Sequence, residues 1–131
     1  MIALDTNMLV RALVQDNLAQ VDVVRQLMAA NTVFISRTVL LETEWVLRAR
    51  YKKTKDQLQK FFVALLESEN AMVEDADTVS HALEWYAQGA DFADALHLSA
   101  CDTAVMHTFD REFCKAARSV GATPEVRVWE V

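Results

Sequence analysis

The first ten residues, MIALDTNMLV (1–10), indicate the class of fold that this chain adopts. Residues 1–4 are a short apolar run typical of a buried strand, and a helical pattern starts at Met8 after three polar residues. A strand that passes so quickly into a helix begins an alternating β–α fold. Asp5 ends that strand, where an acid is most often a turn residue or a helix cap. Open α/β sheets also collect their chemistry there, so its role depends on which residues end the other strands.

The alternation continues along the chain and predicts an α/β fold. Helical segments separate five short runs with strand character, at 1–4, 32–35, 71–74, 104–108 and 126–130. This pattern favours a mainly parallel central sheet of about five short strands with helices on both faces. Only two glycines and one proline occur, so we see no linker and predict one domain over residues 1–131.

Polar residues mark several helix starts. Asn7 is expected to cap the first helix, and Thr54 with Gln57 has the pattern of a capping box. Asp91 and Asp110 precede two later helical runs and are expected to start them.

The composition is that of a globular chain. Of its 131 residues 53% are hydrophobic and 24% are charged, which argues against disorder. The apolar runs are too short to span a bilayer, and no export signal precedes them. Cys101 and Cys114 form no C-x-x-C pair and are expected to be reduced core or helix residues. We therefore expect a cytoplasmic protein.

The net charge of −6 disfavours nucleic-acid binding, because phosphate contacts need Lys and Arg. Five basic residues nevertheless share one stretch, namely Arg48, Arg50, Lys52, Lys53 and Lys55. They form either a solvated helix end or a phosphate-binding ridge, with Arg48, Arg50 and Lys52 as the candidate contacts. Arg111, Lys115 and Arg118 are spaced to share one side of a helix.

Four acidic residues are predicted to reach one edge of the sheet. Asp5 and Asp110 follow the first and fourth strands. Glu42 comes after the second strand within the first turns of a helix, and Asp94 lies in the first turn of the helix before the fourth strand. Each alone is explained as a cap or a first-turn acid. Together they repel one another unless cations lie among them or some are protonated, and oxygen ligands suit Mg²⁺ or Mn²⁺.

Two of these residues are preferred to a neighbouring acid. Glu44 has Arg48 four residues on and is expected to form a surface ion pair, whereas Glu42 is expected at the edge of the apolar helix face. Asp91 is the better helix cap, which leaves Asp94 free to point at the cleft.

Four segments resemble, in order and spacing, the motifs of PIN-domain nucleases, and are most similar to those of VapC-type ribonuclease toxins. The segments are LDTNMLVRAL, VLLETEWVLRARY, DFADALHLSAC and HTFDREF. By this resemblance the acidic quartet of the family is matched by Asp5, Glu42, Asp94 and Asp110. Asp5 and Asp94 match the positions most firmly associated with metal.

The resemblance also implies supporting residues and partners. Thr6 and Asn7 match polar residues that brace the first acid, and Thr108 matches the hydroxyl residue before the last one. The implied activity is Mg²⁺-dependent hydrolysis of phosphodiester bonds in single-stranded RNA. The implied cellular role is the toxin of a type II toxin–antitoxin pair, which binds a cognate antitoxin across its cleft and forms a homodimer.

Other protein classes fit less well. A haloacid-dehalogenase-type phosphatase has a second acid where Asn7 stands, and a response-regulator receiver has an acidic pair near its first strand. A non-catalytic interaction module, or an RNA-processing nuclease without a toxin role, stays open.

The aromatic residues and histidines are expected to have structural roles. Trp45, Trp85 and Trp129 are expected to pack in the core rather than stack on bases. His97 is expected to be a partly buried helix residue rather than a ligand. An apolar stripe on the fourth helix is expected to be core or dimer interface, and it contains Leu58, Phe61, Phe62, Leu65 and Leu66.

Overall fold

The computed structural model describes residues 1–121 and 123–131, in which short strands alternate with longer helices. The strands are β1 (Ile2–Ala3), β2 (Val33–Ile35), β3 (Ala71–Val73), β4 (Met106–Thr108) and β5 (Val126–Val128). The helices are α1 (Thr6–Arg11), α2 (Leu18–Ala30), α3 (Arg37–Ala49), α4 (Lys55–Glu67), α5 (Ala76–Ala87), α6 (Phe92–Ser99) and α7 (Lys115–Ser119). No helix in the described ranges is long and apolar enough to cross a membrane.

The strands pair in parallel, and the predicted α/β fold class is confirmed. β1, β2 and β3 form one sheet in that order, with Ile2 opposite Val33 and Val33 opposite Ala71. β4 and β5 form a second ladder, with Thr108 opposite Val128. All five strands fall in the predicted runs, but the larger sheet has three strands rather than about five. Each strand is only two or three residues long, so the ladders are short.

The chain divides into two compact units, each with its own buried side chains. The first unit is Met1–Ala76 and the second is Asp77–Val131. The largest fully buried side chains of the first unit include Leu9, Ile35, Leu40, Leu47, Leu58 and Phe62. Those of the second unit include Val79, Leu83, Tyr86, Phe92 and Leu98.

Side-chain caps explain where the helices of the first unit begin. Thr54 and Gln57 form the predicted capping box at the start of α4. Asp5, not the predicted Asn7, caps α1, because its Oδ1 accepts the backbone N–H of Met8 at 3.2 Å. The helix therefore begins at once after the strand, and Asp5 has the structural role of a helix cap.

The segment after Asp110 differs from its prediction. A helix is predicted to start at Asp110, but residues 111–114 form turns and α7 begins at Lys115. Cys114 precedes it with φ +46°, a left-handed conformation that interrupts a helix. The three basic residues expected on one helix side are therefore not aligned on one, since Arg111 lies outside α7.

The buried face of α3 carries an ion pair. Glu44 is only 3% exposed, and its Oε2 accepts a hydrogen bond from Arg48 Nε at 2.8 Å. The pair is predicted at the surface, but the carboxylate of Glu44 lies inside because it is on the same helix face as buried Leu40 and Leu47. Buried carboxylates need such partners.

Removing the cation of this pair is expected to destabilise the fold. Arg48→Met keeps most of the side-chain stem and should lower the free energy of unfolding by about 1.5–3 kcal/mol, the range for hydrogen bonds to charged groups. Urea unfolding measures this loss. Lys60→Met, which breaks an exposed pair with Asp56, is the matched control and should cost less than about 1 kcal/mol. Equal losses in the two variants would contradict a structural role for Arg48.

Candidate functional site

Asp5 and its neighbours stand at the junction of β1 and α1 in the first unit. The Asp5 side chain is exposed, although one oxygen caps the helix. Thr6 is buried with 7% of its surface exposed, and exposed Asn7 lines an open cavity between α1 and α2 together with Met8 and Arg11. A carboxylate at a strand end, oriented by a hydrogen bond to the adjoining helix, is held in place and still reaches solvent.

Glu42 lies on the exposed side of α3. The sequence places it at the edge of the apolar face, and its helical neighbours Val39 and Val46 are half-buried. The buried acid of the motif is Glu44, which is held by Arg48. Glu42 projects into solvent instead, where a carboxylate can meet a ligand without the cost of burial.

Asp94 lies in the first turn of α6 in the second unit. Asp91 caps this helix as predicted, and its Oδ2 accepts the N–H of Asp94 at 3.2 Å. Partial burial raises the pKa of Asp94 above its ordinary value of 3.8, and the charges of Asp91 and Asp110 raise it further. His97 opposes this shift, and it is exposed rather than partly buried as expected. Burial and the neighbouring negative charges therefore both disfavour the ionised form of Asp94.

Asp110 is held in a tight turn directly after β4. Its N–H donates to Thr108 Oγ1 at 3.0 Å, and its Oδ1 accepts the N–H of Glu112 at 2.9 Å. These two hydrogen bonds fix the carboxylate relative to the strand end. Thr108, which the family resemblance gives a supporting role, is thus in direct contact with the backbone of Asp110.

Cys114 provides a second indication of the negative field in this unit. Burial raises the pKa of its thiol to about 11, and the charges of Asp94, Asp91 and Asp110 add to the increase while Arg118 opposes it. The thiol stays protonated at neutral pH and is no nucleophile. Three carboxylates therefore act on one small region of the second unit.

The donor set fits a hard divalent cation. In the second unit the structure brings Asp94 and Asp110 within electrostatic range of each other, whereas Asp5 and Glu42 belong to the first unit. Across residues 1–121 and 123–131, no three side chains of the His, Cys, Asp or Glu types form a group able to hold a metal ion. Carboxylate oxygens are nevertheless the ligands that Mg²⁺ or Mn²⁺ prefers. A cation near Asp94 would also neutralise the charge repulsion from Asp91 and Asp110 that contributes to its raised pKa.

The sequence reasoning missed exposed aromatic residues. Of the three tryptophans predicted in the core, Trp85 is buried, but Trp45 is 50% exposed and Trp129 is 51% exposed. Phe109, beside Asp110, is 74% exposed. The available signal was position, because Phe109 and Trp129 come directly after two strands that pair in the structure.

Comparison with known proteins identifies a family for the chain. A sequence model of the family described as PIN domain matches residues 2–119, which is most of the chain. The chain matches no curated protein.

Proposed function

The chain belongs to the PIN domain family, whose members are usually metal-dependent nucleases, and we propose that it is a Mg²⁺-dependent endoribonuclease acting on single-stranded RNA. The proposal is carried by the burial of Asp94 and the carboxylate charges around it, within the residues 2–119 that match the family. A partly buried carboxyl among like charges is stabilised in its ionised form by a bound cation, and phosphodiester hydrolysis uses such a cation.

We assign the reaction to the four motif acids, Asp5, Glu42, Asp94 and Asp110. A bound Mg²⁺, or Mn²⁺ in its place, would supply an activated water and would neutralise charge on the phosphate. By the resemblance to PIN-domain nucleases, Asp5, Asp94 and Asp110 would be metal ligands, directly or through water. Glu42 would bind the ion or orient the attacking water. Thr6, Asn7 and Thr108 support the acids.

Metal-dependent cleavage by the purified protein tests the proposal. Single-stranded RNA labelled at one end is incubated with Mg²⁺, with Mn²⁺ and with excess EDTA. We expect cleavage with either ion, none with EDTA, and 5′-phosphate ends on the products. If the protein cleaves none of the RNAs tried and binds no Mn²⁺, the alternative of a non-catalytic interaction module is supported.

The basic stretch at the end of α3 is proposed to contact RNA phosphates. Arg50 and Lys52 are exposed, and the Arg50 guanidinium lies 5.9 Å from the ring centroid of Trp45. Arg48, the third candidate, already pairs with Glu44, so we expect its charge to contribute less. The arrangement presents a cation over an exposed aromatic ring, which suits a nucleic-acid strand.

Neutralising this stretch should weaken RNA binding in a salt-dependent way. For Arg50→Gln combined with Lys52→Gln we expect the negative slope of log K against log salt concentration to become less steep, by about 0.7 for each phosphate that is no longer neutralised. Fluorescence anisotropy of labelled RNA in EDTA gives the slope. Lys60→Gln, an exposed lysine on α4, is the control and should leave the slope unchanged. An unchanged slope in the double variant would remove the stretch from the binding surface.

The toxin role, the cognate antitoxin and the homodimer are parts of the same proposal. Arrest of growth when the chain is expressed alone, relieved by a co-expressed neighbouring gene product, would support a toxin rather than an RNA-processing nuclease. On the apolar stripe of α4, Leu58, Phe62 and Leu65 are buried, whereas Phe61 and Leu66 are partly exposed. Sedimentation at micromolar concentration measures whether the chain dimerises.

A further inference from the structure

An open cavity of about 400 Å³ in the second unit is lined mainly by aromatic and charged side chains. Its lining includes Phe109, Arg111 and Trp129, together with Glu130 and Val131. Both aromatic residues are largely exposed, Phe109 at 74% and Trp129 at 51%. The volume lies in the range of small-molecule sites, roughly 300–1,000 Å³. Exposed aromatic rings beside a cation are costly to leave in water and suit a planar ligand with negative charge.

The sheet explains why these side chains meet. β4 and β5 are parallel neighbours with Thr108 opposite Val128, so the residues after them leave the same edge of the ladder. The N–H of Trp129 donates to the carbonyl of Thr108 at 2.9 Å, which extends the pairing past the strand ends. Phe109 therefore emerges next to Trp129, at the carboxyl ends of parallel strands where such folds bind ligands.

Neighbouring side chains hold the Trp129 ring and the turn that carries Arg111. The planes of the Trp129 and His107 rings are nearly parallel, with 19° between them and 5.9 Å between the centroids, and Trp129 Nε1 donates to His107 Nδ1 at 2.7 Å. The carbonyl of Arg111 accepts a hydrogen bond from Arg118 Nη2 at 2.9 Å, which fixes the turn after Asp110. A surface fixed before binding loses less entropy when a ligand arrives.

We propose that this cavity binds one base of the RNA strand, close to the phosphate that is cut. Phe109 and Trp129 would stack on the base, and Arg111 would meet an adjacent phosphate. The assignment rests on the proposed ribonuclease function, because its position derives from Asp110, which lies between Phe109 and Arg111 in the chain. Glu130, which pairs with Arg111 at 3.2 Å, would release the guanidinium to the phosphate.

RNA binding without cleavage tests the subsite. Anisotropy of a labelled single-stranded RNA is measured in EDTA for the wild type, Phe109→Ala, Trp129→Ala and Arg111→Met. We expect each aromatic variant to bind roughly 5- to 100-fold more weakly, the effect of losing one base–aromatic stack. Arg111→Met should reduce the salt slope by about 0.7. Trp129→Phe should retain most of the affinity, because a ring remains.

An abasic RNA of the same length separates stacking from other effects. The wild type should lose affinity for it, whereas Trp129→Ala, which keeps only the Phe109 ring, should show a smaller difference in affinity between the two RNAs. Val120→Ala removes an exposed apolar side chain of the same unit and should match the wild type. If Phe109→Ala and Trp129→Ala bind as the wild type does, while the wild type cleaves RNA with Mg²⁺, the subsite is wrong and the proposed function stands. If the wild type neither binds nor cleaves RNA, both are wrong.

Discussion

Asp94→Asn is expected to lower the rate of Mg²⁺-dependent RNA cleavage by at least about 100-fold, the usual loss when a positioned catalytic group is removed. The change keeps the shape of the side chain and removes its charge. Burial and two neighbouring acids disfavour the ionised form of Asp94, so a bound cation would stabilise its carboxylate. Initial rates with saturating Mg²⁺ measure the effect.

Asp102→Asn is the matched control for this variant. It removes one carboxylate from an exposed position in the same unit, and its φ of +55° is one that asparagine tolerates. We expect its cleavage rate to equal that of the wild type. A similar loss in both variants would mean that net charge, rather than a site at Asp94, controls the reaction.

Asp94→Asn should leave the metal-free protein at least as stable as the wild type. The pKa of Asp94 is raised in the folded chain, so the native state keeps its proton in a pH range where the unfolded chain has released it. The contribution of Asp94 to stability therefore falls as the pH rises above 3.8, and the loss persists at neutral pH. Thermal unfolding in EDTA at pH 7 should show no loss in Asp94→Asn, whereas a lower Tm would give Asp94 a structural role.

Asp5 should show two separable roles. Asp5→Asn removes the charge but keeps a good helix cap, so we expect at least about 100-fold slower cleavage with unchanged stability. Asp5→Ala removes the charge and the hydrogen bond to Met8, so it should lose the same activity and about 1 kcal/mol of stability. Cleavage rates and urea unfolding of the two variants measure the roles independently.

The outcome that would contradict this division is specific. If Asp5→Asn cleaves RNA at the wild-type rate while Asp5→Ala is less stable, Asp5 is a helix cap and nothing more. Asn17→Ala, which removes the cap of α2 in the same unit, is the control for the stability effect and should cost about 1 kcal/mol without affecting cleavage.

Local rules predict the elements well. All five strands fall in their predicted runs, and Thr54 and Asp91 cap the helices assigned to them, because a cap depends only on residues three or four apart. Asp5 and Asp110 are identified as strand-end acids for the same reason. The helix start predicted at Asp110 is wrong because Cys114 adopts a left-handed backbone that no local pattern announces.

Burial cannot be predicted at the same level. An acid four residues before an arginine is usually part of a solvated pair, which places Glu44 at the surface, but the rotation of α3 buries it. The size of Trp129 favours the core, yet this residue comes directly after a strand and lies half exposed. Which side of an element meets the interior depends on packing between distant parts of the chain, which a single sequence does not display.

Binding of Mn²⁺ to the wild type, Asp5→Asn and Asp94→Asn is the most direct test of whether the motif acids serve one metal-dependent reaction. Electron paramagnetic resonance of free Mn²⁺ gives the bound fraction without any RNA present. We expect the wild type to bind Mn²⁺ and each single variant to bind it at least about 10-fold more weakly. Wild-type Mn²⁺ affinity in both variants, with cleavage retained, would contradict the assignment.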